Sequence, residues 1–212
     1  MRKSALAIFG IVFLAFLAGA LFYSQVPDPM AAHWGFSGEP DGYMSKEWGL
    51  FLIPTLLALF ALLFVKIPDI DPLKKNIEKF RPYYDNFIIL LFLFLLAVQI
   101  VMILWNIGIK VSFALVLPPL FAVLFYYVGV LCAHAEKNWF IGVRTPWTMS
   151  SDAVWDKTNK LAGKMFKISA VIILLSLVVP SMMALFILGP VIFTGAYTVW
   201  YSYSEYQKER RR

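Results

Sequence analysis

The sequence predicts an all-α integral membrane protein of six transmembrane helices, with both termini cytoplasmic and short amphipathic helices at the interface. Three observations predict it. Of the 212 residues, 60% are hydrophobic and 15% charged, against about 45–50% and about 25% in soluble domains. The mean hydropathy is +0.72. The apolar residues fall into uncharged runs of roughly 20, the length of one helical crossing. Finally, 17 of the 19 lysines and arginines flank alternate gaps between those runs. That asymmetry marks the cytoplasmic side. Six such helices consume most of the chain, so a separate soluble catalytic domain is excluded, and the whole is read as one cell-membrane domain.

The first span, 4–24, follows Arg2 and Lys3. Ala18-Gly19-Ala20 resembles a signal cleavage site, but the apolar run continues through Leu21, Phe22 and Tyr23, so the span is expected to be retained. An extracellular loop, 25–47, follows. Pro27, Pro29, Gly35, Gly38, Pro40 and Gly42 make it an ordered, turn-rich loop rather than a helix. Its net charge is −3, from Asp28, Glu39, Asp41 and Glu47 against Lys46. An acidic face attracts cationic ligands, although acids are also what remains outside once orientation is set by Lys and Arg. One histidine beside Glu39 and Asp41 matches no closed metal site, so no metal is expected. His33 and Trp34 are placed at the headgroup level.

The second span is 48–65, and the first cytoplasmic loop is 66–85. There Asp71 suits an N-cap and Pro72 a first helical residue. Leu73, Ile77 and Phe80 share one face of a short basic helix that Pro82 ends, expected to lie in the membrane interface. The third and fourth spans, 87–107 and 111–133, enclose Cys132. A single buried thiol offers neither a disulfide nor a zinc site.

The second cytoplasmic loop, 134–167, carries the densest pattern. Ser150 or Ser151 caps a helix from about Asp152. Val154, Trp155, Leu161, Ala162 and Met165 share one side, with acids early and lysines late. This helix is expected on the inner surface. Ahead of it, 138–147 has no helical period: Gly142 permits a tight backbone, and Thr145 before Pro146 favours an extended conformation. Arg144 between aromatics suits bidentate or stacking contacts that lysine cannot make. One reading makes Trp139, Trp147 and Trp155 an interfacial belt, with Arg144 on a lipid phosphate or a carboxylate. The last apolar tract, interrupted by Pro180 and Gly189-Pro190, reads as spans 168–182 and 185–203, joined near Pro180–Leu185. The basic tail is 204–212.

Because the basic residues flank membrane segments, anionic lipid headgroups rather than nucleic acid are their expected partners. No ionisable residue lies central to a span. Gln99, Asn106, Ser112, Ser169, Ser176 and Thr194 are read as interhelical hydrogen-bonding residues. The two histidines, His33 and His134, fall on opposite sides, so there is no catalytic constellation, and neither an enzyme nor a cofactor is expected. A small transporter or channel is the alternative, for which Gly189-Pro190 offers a helix break.

Two strings carry a resemblance. NWFIGVRTPWTMSSDAVWDKTNKLAGKMF, residues 138–166, closely resembles the hallmark of the SdpI family. PDPMAAHWGFSGEPDGY, residues 27–43, is similar to a domain of unknown function at the N-terminus of many members, with Gly35 and Phe36 where a more polar pair is expected. The resemblance implies a membrane immunity protein that protects a cell from a secreted antimicrobial peptide. It further implies signalling by sequestration of a small winged-helix repressor at the membrane. On that resemblance, His33, Trp34, Gly38, Pro40, Asp41 and Tyr43 face the toxin side. Asn138, Gly142, Arg144, Thr145, Pro146, Trp147, Trp155 and Lys157 form the cytoplasmic signature and a candidate repressor-docking surface.

Overall fold

A computed structural model describes residues 2–35 and 38–211, so Phe36 lies outside the described residues. The order is α1 (Lys3–Phe22), β1 (Met30–Trp34), β2 (Pro40–Met44), α2 (Lys46–Ile70), α3 (Lys74–Lys79), α4 (Arg81–Asn106), α5 (Phe113–His134), α6 (Pro146–Ser150), α7 (Asp152–Leu174) and α8 (Met183–Arg210). Among the described residues five segments are long and apolar enough to cross a membrane: α1, α2, α4, α5 and 180–210. The protein is a multi-pass, predominantly helical membrane protein.

The long helices form two groups. α1, α2 and α4 pack together, as do α5, α7 and α8, and α4 joins α5. Contacts fix which ends coincide. The start of α1 meets α3 and α4, where Ser4 donates to Asp85 at 2.8 Å. The end of α8 meets α7, where Lys157 binds Glu205 at 2.8 Å. Both lie at the end holding residues 134–151, the signature end. The β-hairpin closes the opposite, hairpin end.

In a bilayer, apolar packing alone discriminates poorly between helix faces, because lipid tails are as apolar as leucine. Polar side chains supply the difference. Gln99, fully buried in α4, donates from Nε2 to Ala15 O at 3.0 Å and Leu50 O at 3.1 Å, tying α1 and α2 to one point. In the second group, α8 presents a buried stripe of Thr194, Thr198, Ser202 and Glu205. Ser169 meets Thr194 at 3.1 Å and donates to Pro190 O at 3.3 Å. α5 and α7 approach closely at Gly129 and Gly163. A Cβ at either would stand 2.6–2.7 Å from the other's carbonyl oxygen, so only glycine permits the crossing.

Four expectations need correction. The loop 25–47 contains an antiparallel hairpin in which Ala31 faces Tyr43 and His33 faces Gly42, with irregular register. Its turn residues bound two short strands. The segment 152–167 is not a separate helix ahead of the fifth span. It is the first part of α7, which runs antiparallel beside α5 to Leu174. Its polar side chains are accommodated in pairs: Lys160 binds Asp156 at 2.8 Å and Lys167 stands over the Tyr126 ring at 5.6 Å. Consequently 168–182 is not a separate helix; α7 gives way to 3-10 turns at Leu175–Leu177 and Pro180–Met182. Thirdly, α8 passes unbroken through Gly189-Pro190 and absorbs most of the basic tail. Finally, α3 begins at Lys74, and Asp71 serves a different purpose described below.

Candidate functional site

The signature end is built on side chains that replace missing backbone partners. Asn138 is fully buried. Its Oδ1 accepts from the amides of Phe140 and Ile141 at 2.9 and 2.7 Å, and its Nδ2 donates to the carbonyls of Glu136 and Ile141 at 2.8 and 3.0 Å. One amide thus satisfies four backbone groups of a turn. Gly142 has φ +101°, and a Cβ there would lie 2.5 Å from Asn159 Oδ1, so conformation and space both require glycine. That Oδ1 accepts the Val143 amide at 2.8 Å. Trp155, 3% exposed, donates from its indole to Ala135 O at 2.7 Å.

Thr145 is extended and forms a reciprocal cap with Thr148, with Pro146 opening α6. Its hydroxyl also meets Ser202 at 3.0 Å, docking the loop on α8. Trp147 packs edge-on against Tyr203, with ring centroids 5.1 Å apart. Trp139 is exposed while Trp155 is enclosed, so the three tryptophans form no belt. Asp71, 2% exposed, accepts the Leu73 amide at 2.6 Å and the Trp139 amide at 2.9 Å. With Asn76 donating to Lys137 O at 2.8 Å, it joins the 66–85 segment to the signature.

Of the eight signature residues, Arg144, Pro146 and Lys157 present substantial outer surface. The Arg144 guanidinium donates to the Trp139 carbonyl, and it forms no ion pair among the described residues. Lys157 and Lys208 both hydrogen-bond Glu205, at 2.8 and 2.7 Å, and hold its carboxyl below the usual carboxylate range. Glu205 lies beyond the apolar stretch of α8. His134 stacks on Tyr83 at 3.9 Å, and Glu136 pairs with Lys79 at 3.8 Å rather than with His134.

At the hairpin end the six predicted residues divide. His33, Asp41 and Tyr43 are exposed, and His33 Nδ1 lies 2.5 Å from Asp41 Oδ1. Gly38 bonds Gly35 O across the turn at 3.0 Å, and Pro40 pairs with Trp34. Trp34 is half-buried and packs on the helix ends. It stacks on Phe113 at 4.0 Å and meets Trp105 edge-on at 6.0 Å. Among the described residues no cluster of three or more metal-ligating side chains is present.

Sequence reasoning missed the polar stripe of α8 and the role of Asp71. Thr194, Thr198, Ser202 and Glu205 recur at helical spacing, and that period was the available signal. Reasoning also missed a cleft of about 440 Å³ between the two helix groups, which opens beside Arg144.

The two ends together define a helical membrane protein with a structured device on each face of its bundle. The Domain of unknown function (DUF1648) matches residues 10–58, and the SdpI/YfhL protein family matches residues 134–202. The chain is 28% identical to Immunity protein SdpI of Bacillus subtilis (strain 168) over 173 residues, 82% of this chain and 80% of that protein. The likeness to the SdpI/YfhL family is thus carried by residues 134–202 and by this relative together. No solved structure matches it.

Proposed function

We propose that this protein is a cell-membrane immunity protein that gives resistance to a secreted antimicrobial peptide and performs no chemical step. The observation that carries the reading is similarity to Immunity protein SdpI over 82% of the chain, well beyond either matched segment alone. The reading has six crossings, counting α7 because it runs beside α5 over most of that helix. The signature end, with 17 of the 19 basic residues in its flanks, faces the cytoplasm and anionic headgroups. Both termini are cytoplasmic and the hairpin is extracellular. His33, Asp41 and Tyr43 present the toxin-side surface. Arg144, Pro146 and Lys157 present the surface for a winged-helix repressor, held by the rest of the signature, of which Asn138, Thr145 and Trp155 are buried. The protein does not itself contact nucleic acid.

Expression in a peptide-sensitive bacterial host tests the proposal. Survival rises for cells carrying the wild type and returns to the sensitive baseline for His33→Ala/Asp41→Ala/Tyr43→Ala at equal membrane abundance. Unchanged sensitivity across several secreted peptides, with the wild type well inserted, overturns it. Reporter fusions at residues 110 and 150 check orientation, and signals from the same side overturn the six-span arrangement.

A further inference from the structure

The cleft between the two helix groups has an apolar interior that the immunity reading does not use. Its walls come from α2, α4, α5, α7 and α8, principally Phe64, Phe87, Ile88, Val128, Phe166 and Val199, and its floor from residues 140–145. The hydroxyls along it are already committed: Tyr84 donates to Phe64 O at 2.7 Å and Thr198 to Thr194 O at 2.8 Å. The interior is therefore apolar in effect. Arg144 is the charged residue among the lining side chains, and its guanidinium is exposed without an ion-pair partner among the described residues. At about 440 Å³ the cleft falls within the range of about 300–1,000 Å³ usual for small-ligand sites.

Its position says what enters. Gly195, Val199 and Phe140 are exposed where they line the cleft, and Ile192, Phe193 and Trp200 continue the same apolar surface of α8. Thr145 meets Ser202, seven residues along α8 from Gly195. The cleft thus rises about 10 Å from the level of Arg144 at 1.5 Å per residue. A laterally open apolar slot at that depth faces lipid chains. An inserted peptide would bring backbone amides that these walls cannot satisfy, at several kcal/mol per unpaired group in hydrocarbon.

We infer that this cleft binds one anionic glycerophospholipid, an acyl chain between the helix groups and its phosphate on Arg144. Arginine presents a fork of donors suited to phosphate oxygens. A zwitterionic headgroup would bring its own cation against the guanidinium, whereas an anionic one would not.

Native mass spectrometry of the delipidated full-length protein tests this, with dioleoyl phosphatidylglycerol and dioleoyl phosphatidylcholine added separately. The wild type retains one phosphatidylglycerol molecule under activation that strips phosphatidylcholine. Arg144→Gln reduces that retention about tenfold, while Lys75→Gln, on exposed α3, leaves it unchanged. Gly195→Trp projects into open space, because a Cβ there meets nothing within 4 Å, and abolishes retention of either lipid while tryptophan fluorescence reports an intact fold. Equal retention of both lipids by the wild type overturns the proposal. So does undiminished retention in Gly195→Trp, an equal loss in Lys75→Gln, or detergent or a copurifying peptide held in place of lipid. None of these outcomes depends on peptide resistance.

Discussion

The side-chain amide of Asn106 pairs with both backbone groups of Ala31, standing in for a neighbouring strand. Its Oδ1 accepts the Ala31 amide at 2.8 Å, and its Nδ2 donates to Ala31 O and to Met102 O, each at 2.9 Å. The hairpin is therefore bonded to the last turn of α4 at a buried strand position as well as packed through Trp34.

Asn106→Ala removes partners from a donor and an acceptor at a residue 4% exposed. A loss of about 2 kcal/mol in hairpin docking is expected, since orphaned buried groups cost about 1–3 kcal/mol each. Hydrogen exchange checks it: amides of residues 30–44 exchange faster while those of α7 keep wild-type protection.

Asp71→Asn preserves shape yet reverses one contact. The carboxylate accepts two amides, whereas a carboxamide accepts with one end and sets its NH2 against the other donor. A cost of about 1–3 kcal/mol follows, read as a lower unfolding temperature and freer exchange of the Trp139 amide.

Gly129→Ala drives a methyl to within 2.6 Å of the Gly163 carbonyl, and the helices must separate. Overpacking of this kind costs about 1–3 kcal/mol. Gly10→Ala, whose Cβ meets nothing within 4 Å, serves as control and is neutral or stabilising by up to about 1 kcal/mol through helix propensity. Thermal unfolding in detergent separates the two, and equal effects would refute the close crossing.

The Glu205 carboxyl titrates below its unfolded value because Lys157 and Lys208 bind its charged form. Its contribution is complete above the ordinary carboxylate pKa and disappears as pH falls through the depressed native one. Unfolding temperature measured against pH falls on that acid limb in the wild type. In Glu205→Gln it starts lower at neutral pH and falls less.

Most of the bundle was legible because spans announce themselves by unbroken hydrophobicity; α1 and α5 begin and end within two residues of the apolar runs, and α4 ends within one but starts six residues earlier. α7 was misjudged for a physical reason. Its lysines and acids stop any hydropathy reading at Lys167, yet partners on α8 and its own preceding turn accommodate them, so the helix continues at full length. The hairpin was hidden because Pro27, Gly35 and Gly42 read as turns, while pairing depends on Asn106, 75 residues from Ala31. Of the candidate site, the sequence groups residues 138–157 but does not show the division among them: Asn138 and Trp155 support the loop from within, and Arg144 faces outward. Burial decides that, and no local pattern encodes it.

Gln99 has a consequence beyond the two bonds it makes. A cylinder coated with leucine and phenylalanine can spin about its own axis in hydrocarbon at small cost, so depth is easily specified and azimuth is not. Gln99 fixes the azimuth of α4, and Asn106 lies seven residues further, two turns on at nearly the same angle. A clamp buried between three helices thereby aims an amide that catches the hairpin.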